Sequence, residues 1–249
     1  MCIIIYKNSK NKPPSDNELS LAEYYNPDGI GIAYIDNNTI KIIKGLKLDN
    51  LINLNDNLLY DKTVIYHFRY STSGSTKAGL CHPFPLSSDL SKLCEIELSC
   101  DTVVAHNGHF LDYAGSKQYS DTQIFISKVL SKFKFEDLLN PKIRMLLNII
   151  TDENRLIIMN TSGKVTKFGN WIKSKGLYYS NNSLIRYNLV DDYYLDSKYD
   201  EKSFAEVSRG YTANKFCYLC GLPSSEVELK YDEFVKEYIC EECRQTIRY

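Results

Sequence analysis

The chain has 249 residues, a formal net charge of −1, 43% hydrophobic and 24% charged residues, and 20 Tyr. That balance excludes a global basic field for nucleic acid, and the apolar and aromatic content excludes a disordered polymer. No apolar run approaches the roughly 20 residues of a membrane span, and CIIIY is too short for a signal-peptide core. The expected compartment is therefore the cytoplasm, where the 8 cysteines act as thiols or metal ligands rather than disulfides.

In chain order, CIIIYK behind Met1 reads as a buried strand, and IGIAYIDNNTIKIIKG as a hairpin turning at Asn37 and Asn38. TVIYHFRYS and CDTVVAHNG follow as strands that run into polar, glycine-containing turns. From Asp121, DTQIFISKVLSKF spaces Ile124, Phe125, Val129 and Phe133 for a helix, with Ser120 or Asp121 as N-cap. FEDLLNPKIRMLLNII predicts a second helical region broken or kinked by Pro141. Strands return with RLIIMNTSGKVTKFG, turning at Ser162 and Gly163, and with GLYYSNNSLIRY. The order strands, helices, strands favours layered α+β over an alternating parallel fold. Residues 2–189 form the expected main domain, an acidic, Tyr-rich stretch at 190–212 a linker, and 213–249 a cysteine-bearing tail.

Cys2 stands ahead of the first strand. As a small, commonly buried residue it needs no special role. Removal of Met1, however, is favoured by a small side chain at the next position and would leave one residue with both a thiol and an α-amine. An α-amine titrates near pH ~8 and can act as base for the adjacent nucleophile.

The rest of such a site must lie elsewhere. NPDGIG at 26–31, HFRYSTSG at 67–74, CHPFP at 81–85, AHNGHF at 105–110 and SDT at 120–122 each have an ordinary reading as turn, hairpin signal or helix cap. In this order behind Cys2 they resemble the glutaminase domain of class II glutamine amidotransferases, in the N-terminal nucleophile hydrolase superfamily, from Cys2 to about residue 185.

The resemblance implies a four-layer αββα sandwich. It implies that Cys2 attacks the glutamine carboxamide, that the Asn107 side chain and the Gly108 backbone N–H receive the oxyanion, and that Arg69 and Asp121 hold the α-carboxylate and α-ammonium. Thr72 and Ser73 would add hydroxyl contacts, and His82 would sit in a loop supporting the site, as a structural residue rather than an acid or base. His67, His106 and His109 are not in a tight metal-ligand pattern, and Cys81, Cys94 and Cys100 read as buried or idle thiols. The substrate is expected to be glutamine, with the ammonia passing to a protein partner; another γ-glutamyl amide, or a non-catalytic binding module on the same fold, are the alternatives.

In the tail, Cys217, Cys220, Cys240 and Cys243 form C-x2-C-x19-C-x2-C, a spacing suited to one structural zinc ion. Four thiolates leave no open position for substrate, so catalysis itself is expected to need no cofactor. Zinc ribbons can dock protein or nucleic acid; the acidic YDEFVKEYICEEC favours a protein partner.

Overall fold

The structure is a computed structural model. It describes residues 2–71, 77–110, 113, 118–152 and 154–184, and in the tail 217, 224, 227–232, 237–241 and 244–245. The main body begins with β1 (Ile3–Lys7), α1 (Asp16–Tyr25), β2 (Ile30–Asp36), β3 (Thr39–Leu46), α2 (Leu48–Asn57) and β4 (Val64–Phe68). It continues with β5 (Phe84–Pro85), α3 (Leu90–Leu93), β6 (Glu97–Cys100), β7 (Thr102–Asn107), α4 (Asp121–Lys128) and α5 (Pro141–Thr151). It ends with β8 (Arg155–Asn160), β9 (Val165–Phe168), β10 (Ile172–Ser174) and β11 (Leu177–Tyr179); β12 (Leu229–Asp232) and β13 (Glu237–Cys240) belong to the tail.

Two antiparallel sheets organise the body. The first has seven strands in the order β10-β11-β1-β4-β2-β3-β6, the second four in the order β5-β7-β8-β9. The alternation of side chains along each strand decides the layers. Ile3, Ile5, Val64, Tyr66 and Phe68 face one way, into a core shared with Leu19 and Ala22 of α1 and Leu51 of α2. Ile4, Tyr6 and Ile65 face the other way and meet Val103, Ala105, Ile157 and Met159 of the second sheet. The far side of that sheet, with Val104, Leu156 and Ile158, packs on Phe125 and Ile126 of α4 and Leu147 of α5. The order of layers is therefore helices, sheet, sheet, helices. A central strand buried on both faces needs an unbroken apolar run, which is why CIIIY reads as it does.

Most strand expectations hold. Asn37 and Asn38 turn the β2–β3 hairpin with φ of 45° and 61°, the left-handed geometry of a tight two-residue turn. Ser120 caps α4 by accepting from the Gln123 N–H, and Pro141 opens α5 rather than kinking it, where its missing N–H costs nothing. Among the described residues of GLYYSNNSLIRY, 176–184, strand runs over Leu177–Tyr179.

The expected order of strands, helices, strands needs correction, because α1 and α2 lie between strands of the first sheet. α1 starts at a capping box in which Ser15 and Glu18 bond reciprocally. α2 has no side-chain cap and six Asn or Asp within LDNLINLNDN, so its helix is held by burial of Leu51 against the sheet rather than by propensity. Lys7 closes the segment after α2, donating to the carbonyls of Leu59, Tyr60 and Lys62 at 2.9, 2.6 and 2.9 Å. Burial lowers its pKa to about 8.

The expected linker at 190–212 lies outside the described residues. In the tail, β12 and β13 pair antiparallel, and Cys217, Ile239 and Cys240 form a small core that packs against Met145 of α5.

Gly31 of β2 crosses the His82 backbone so closely that a Cβ there would stand 2.0 Å from the His82 carbonyl oxygen. Because the obstacle is backbone, it cannot rotate away. Gly31→Ala is expected to lower the unfolding free energy by about 1–3 kcal/mol in urea titrations, the range for overpacking a buried contact.

Candidate functional site

Several strand ends meet at one edge of the two sheets. Cys2 precedes β1, Arg69 follows β4, Asn107 ends β7 and Ser180 follows β11, while Gly29 just ahead of β2 accepts from the Arg69 N–H at 2.9 Å. The register explains the convergence: Ile3 pairs with Phe68, and Ile30 pairs with the same Phe68 from the other side.

Cys2 is held by its backbone. Its carbonyl oxygen accepts from the Asn107 Nδ2 at 2.7 Å and the Asn181 Nδ2 at 2.8 Å. Asn107 also donates to the Ser180 Oγ at 2.9 Å, and the same Oγ accepts from the Ile4 N–H at 2.9 Å. Both hydrogens of the Asn107 amide are thus engaged, one of them on the nucleophile candidate's own carbonyl. The Cys2 Sγ accepts from the Tyr70 N–H at 3.3 Å. Burial raises the thiol pKa, opposed by the Tyr70 backbone and the nearby Arg69 guanidinium, so the resting group is a thiol rather than a thiolate.

Arg69 is 8% exposed, and its Nη2 donates to the Ser71 Oγ at 3.3 Å. Its charge acts on both Cys2 and the buried Cys81. Asp28 of the NPDG turn fastens the same segment, its Oδ2 accepting from the Ser71 N–H at 2.6 Å. Thr72 and Ser73 lie outside the described residues.

Gly108 leaves β7 with φ of +147°, a conformation open to glycine. Asn154 grips the next residue on both sides, its Oδ1 accepting from the His109 N–H at 2.7 Å and its Nδ2 donating to the His109 carbonyl at 3.1 Å. Asp121, first residue of α4, accepts from the Phe110 N–H through Oδ2 at 2.8 Å and from the Thr122 N–H through Oδ1 at 2.8 Å.

His82 is 8% exposed. Its ring lies in a buried aromatic layer, 4.6 Å from the His67 ring and 4.5 Å from Phe84, with His106 at 6.2 Å. His106 bonds the Thr122 Oγ1 through Nδ1 at 2.8 Å and stacks on Phe110 at 4.1 Å. Among the described residues, both ring nitrogens of His67 and the Nε2 of His82 are buried without a hydrogen-bond partner. Burial is the first cause that depresses the pKa of each, that of His67 to about 3. Cys81 is fully buried beneath Gly29.

In the tail, the Cys240 N–H donates to the Cys217 Sγ at 3.2 Å, and both cysteines are buried. A backbone N–H on sulfur suits a thiolate ligand, so this pair fits a metal's donor set. Cys220 and Cys243 lie outside the described residues, and among those described no group of three or more candidate metal ligands comes together. Among the described residues no helix is long and apolar enough to cross a membrane.

Sequence reasoning did not single out Asn154, Ser180, Asn181 or Asp28 as site residues. SNNS follows a strand that pairs with β1, which is a signal only once that pairing is known.

No family model matches the chain, and no curated protein matches it. Among solved structures, the glutamine phosphoribosylpyrophosphate (PRPP) amidotransferase from B. subtilis, complexed with ADP and GMP, is similar with a TM-score of 0.46 and 16% identity. The match covers 75% of this chain and 43% of that one, so the chain spans less than half of that protein's length.

The buried histidines generate a pH dependence. Each binds a proton in the unfolded chain below about pH 6.5 and resists it in the folded one, so stability is complete above that pH and is lost as pH falls toward the depressed folded values. Urea unfolding between pH 7 and 4 should show a loss of up to about 1.4 kcal/mol per pH unit for each histidine. His67→Phe should flatten that slope by one proton's worth.

Proposed function

We propose that the chain is a glutaminase-type amide hydrolase whose nucleophile is Cys2, exposed as the N-terminal residue by loss of Met1. The observation that carries this reading is the meeting of Cys2, Arg69 and Asn107 at one sheet edge, with the thiol 3.3 Å from the Tyr70 N–H and the Asn107 amide 2.7 Å from the Cys2 carbonyl. It is supported by the resemblance of the five motif stretches to class II glutamine amidotransferases.

The chemistry follows from the geometry. The thiol is protonated at rest, so its proton passes to the Cys2 α-amine as sulfur attacks the side-chain amide carbon of glutamine. Negative charge moves to the carbonyl oxygen, where the Gly108 N–H and the Asn107 amide serve as donors. Asn107 can turn one hydrogen to the substrate because the Asn181 Nδ2, at 2.8 Å, keeps the Cys2 carbonyl satisfied. Collapse of the intermediate breaks the C–N bond, the amine's proton goes to the leaving nitrogen, and ammonia departs. Water then attacks the γ-glutamyl thioester, releasing glutamate and the thiol. Arg69 pairs with the substrate α-carboxylate and Asp121 with its α-ammonium; a guanidinium fork in a site this dry is worth more than in water. The ammonia goes to a partner protein that consumes it.

Cys217, Cys220, Cys240 and Cys243 would hold a zinc ion, which supplies the tail with a folded scaffold rather than a reactive centre.

Intact mass before and after incubation with the diazo-ketone analogue of glutamine tests the reading. The expected result is loss of Met1 and one covalent adduct, absent in Cys2→Ala; a protein that retains Met1 and takes no adduct rejects it. Arg69→Lys should raise the KM for glutamine by on the order of 10-fold or more, because an ammonium cannot reproduce the bidentate fork. A native mass spectrum should show one zinc ion, lost in Cys217→Ser.

A further inference from the structure

The ladder between β7 and β8 ends where Asn107 pairs with Arg155. One residue further, the chain would ordinarily pair Gly108 with the backbone of Asn154 and continue as strand. Instead a side chain takes over. The Asn154 carboxamide presents an acceptor and a donor to the two sides of His109, at 2.7 and 3.1 Å, as a neighbouring strand's peptide would. The backbone of Asn154 is engaged elsewhere, its N–H donating to the Thr151 carbonyl at 2.8 Å at the end of α5.

This substitution of side chain for backbone lets Gly108 swing out of the sheet while the next residue stays tied. The fit is close: a Cβ on Gly108 would stand 1.6 Å from the Asn154 Oδ1 and 2.5 Å from its Cγ. Gly108 and Asn154 therefore share one space, and the φ of +147° at Gly108 is the conformation that fits it. On the other side, Asp121 holds the Phe110 N–H at 2.8 Å, so the turn is clamped after Gly108 at two successive peptides.

We infer that Asn154 is a positioning residue of the candidate site: by gripping His109 it fixes the Gly108–His109 peptide and so, with Gly108 held at its φ of +147°, the direction of the Gly108 N–H, the proposed backbone donor to the oxyanion. The inference rests on the hydrolase reading for its catalytic consequence, but the grip itself is a property of the turn. Asn154 touches neither the substrate nor the reacting atoms in this scheme. Its effect belongs to the transition state, because the oxyanion develops only there, whereas ground-state binding rests on Arg69 and Asp121.

The test compares wild type, Asn154→Ala and Asn154→Asp by steady-state glutamine hydrolysis and by hydrogen exchange at the Gly108 and His109 amides. Asn154→Ala should lose on the order of 10- to 100-fold in kcat with KM within about twofold, since misplacing a donor by about 1 Å costs on that scale. Its Gly108 and His109 amides should exchange faster while those of Val103, Val104 and Ala105 stay protected. Asn154→Asp, which keeps the acceptor for the His109 N–H, should retain protection at His109 and the wild-type fold. An unchanged kcat in Asn154→Ala, a parallel loss of kcat and β7 protection, or equal exchange in both variants would overturn the inference. If wild type neither hydrolyses glutamine nor takes the diazo-ketone adduct, the hydrolase reading fails and exchange alone decides: faster exchange confined to Gly108 and His109 upholds the grip, and unchanged exchange refutes it.

Discussion

The carbonyl oxygen of Cys2 is the point from which the candidate site is hung. Two carboxamides reach it, Asn107 from the end of a strand in the second sheet and Asn181 from the turn after β11, the strand that pairs with β1. Ser180 joins them, accepting from Asn107 and from the Ile4 N–H. Each bond contributes only about 1 kcal/mol net, but together they tie the first residues of the chain to both sheets. A terminal segment would otherwise be among the least ordered parts of a domain. Here its backbone is fixed, and the thiol is consequently aimed at the Tyr70 N–H.

Burial settles the electrostatics around that point. It keeps the thiols of Cys2 and Cys81 protonated and the imidazoles of His67, His82 and His106 neutral. The Arg69 guanidinium acts on both of these thiols. A positive charge therefore stands beside a neutral thiol. The neutral histidine layer behind it packs as aromatic rings, on Phe84 and Phe110, rather than as acids or bases.

The readable part of the fold was the part governed by local pattern. CIIIYK, the Asn37–Asn38 turn, the Ser120 cap and the Pro141 break all follow from alternation, turn chemistry or capping, which act over a few residues. α1 carried a legible signal in its Ser15 and Glu18 box, whereas α2, rich in Asn and Asp, is a helix because Leu51 finds the sheet. The candidate site divides in the same way. Cys2, Arg69, Asn107, Gly108 and Asp121 stand out in short motifs, while Asn154 and Asn181 act through partners 45 and 179 residues away and lie in stretches with no pattern of their own.

The amino-acid sequence by itself determined the strand and turn segments, the chemical types at the site and the tight cysteine pairs of the tail, because these depend on side-chain identity and short spacing. Tertiary structure alone decided that four strand ends share one edge, that His82 turns into an aromatic layer, and that Asn107 holds the Cys2 carbonyl. Those outcomes depend on sheet register and on which buried polar group finds which partner. Such choices are made between segments far apart in the chain, where local spacing carries no information.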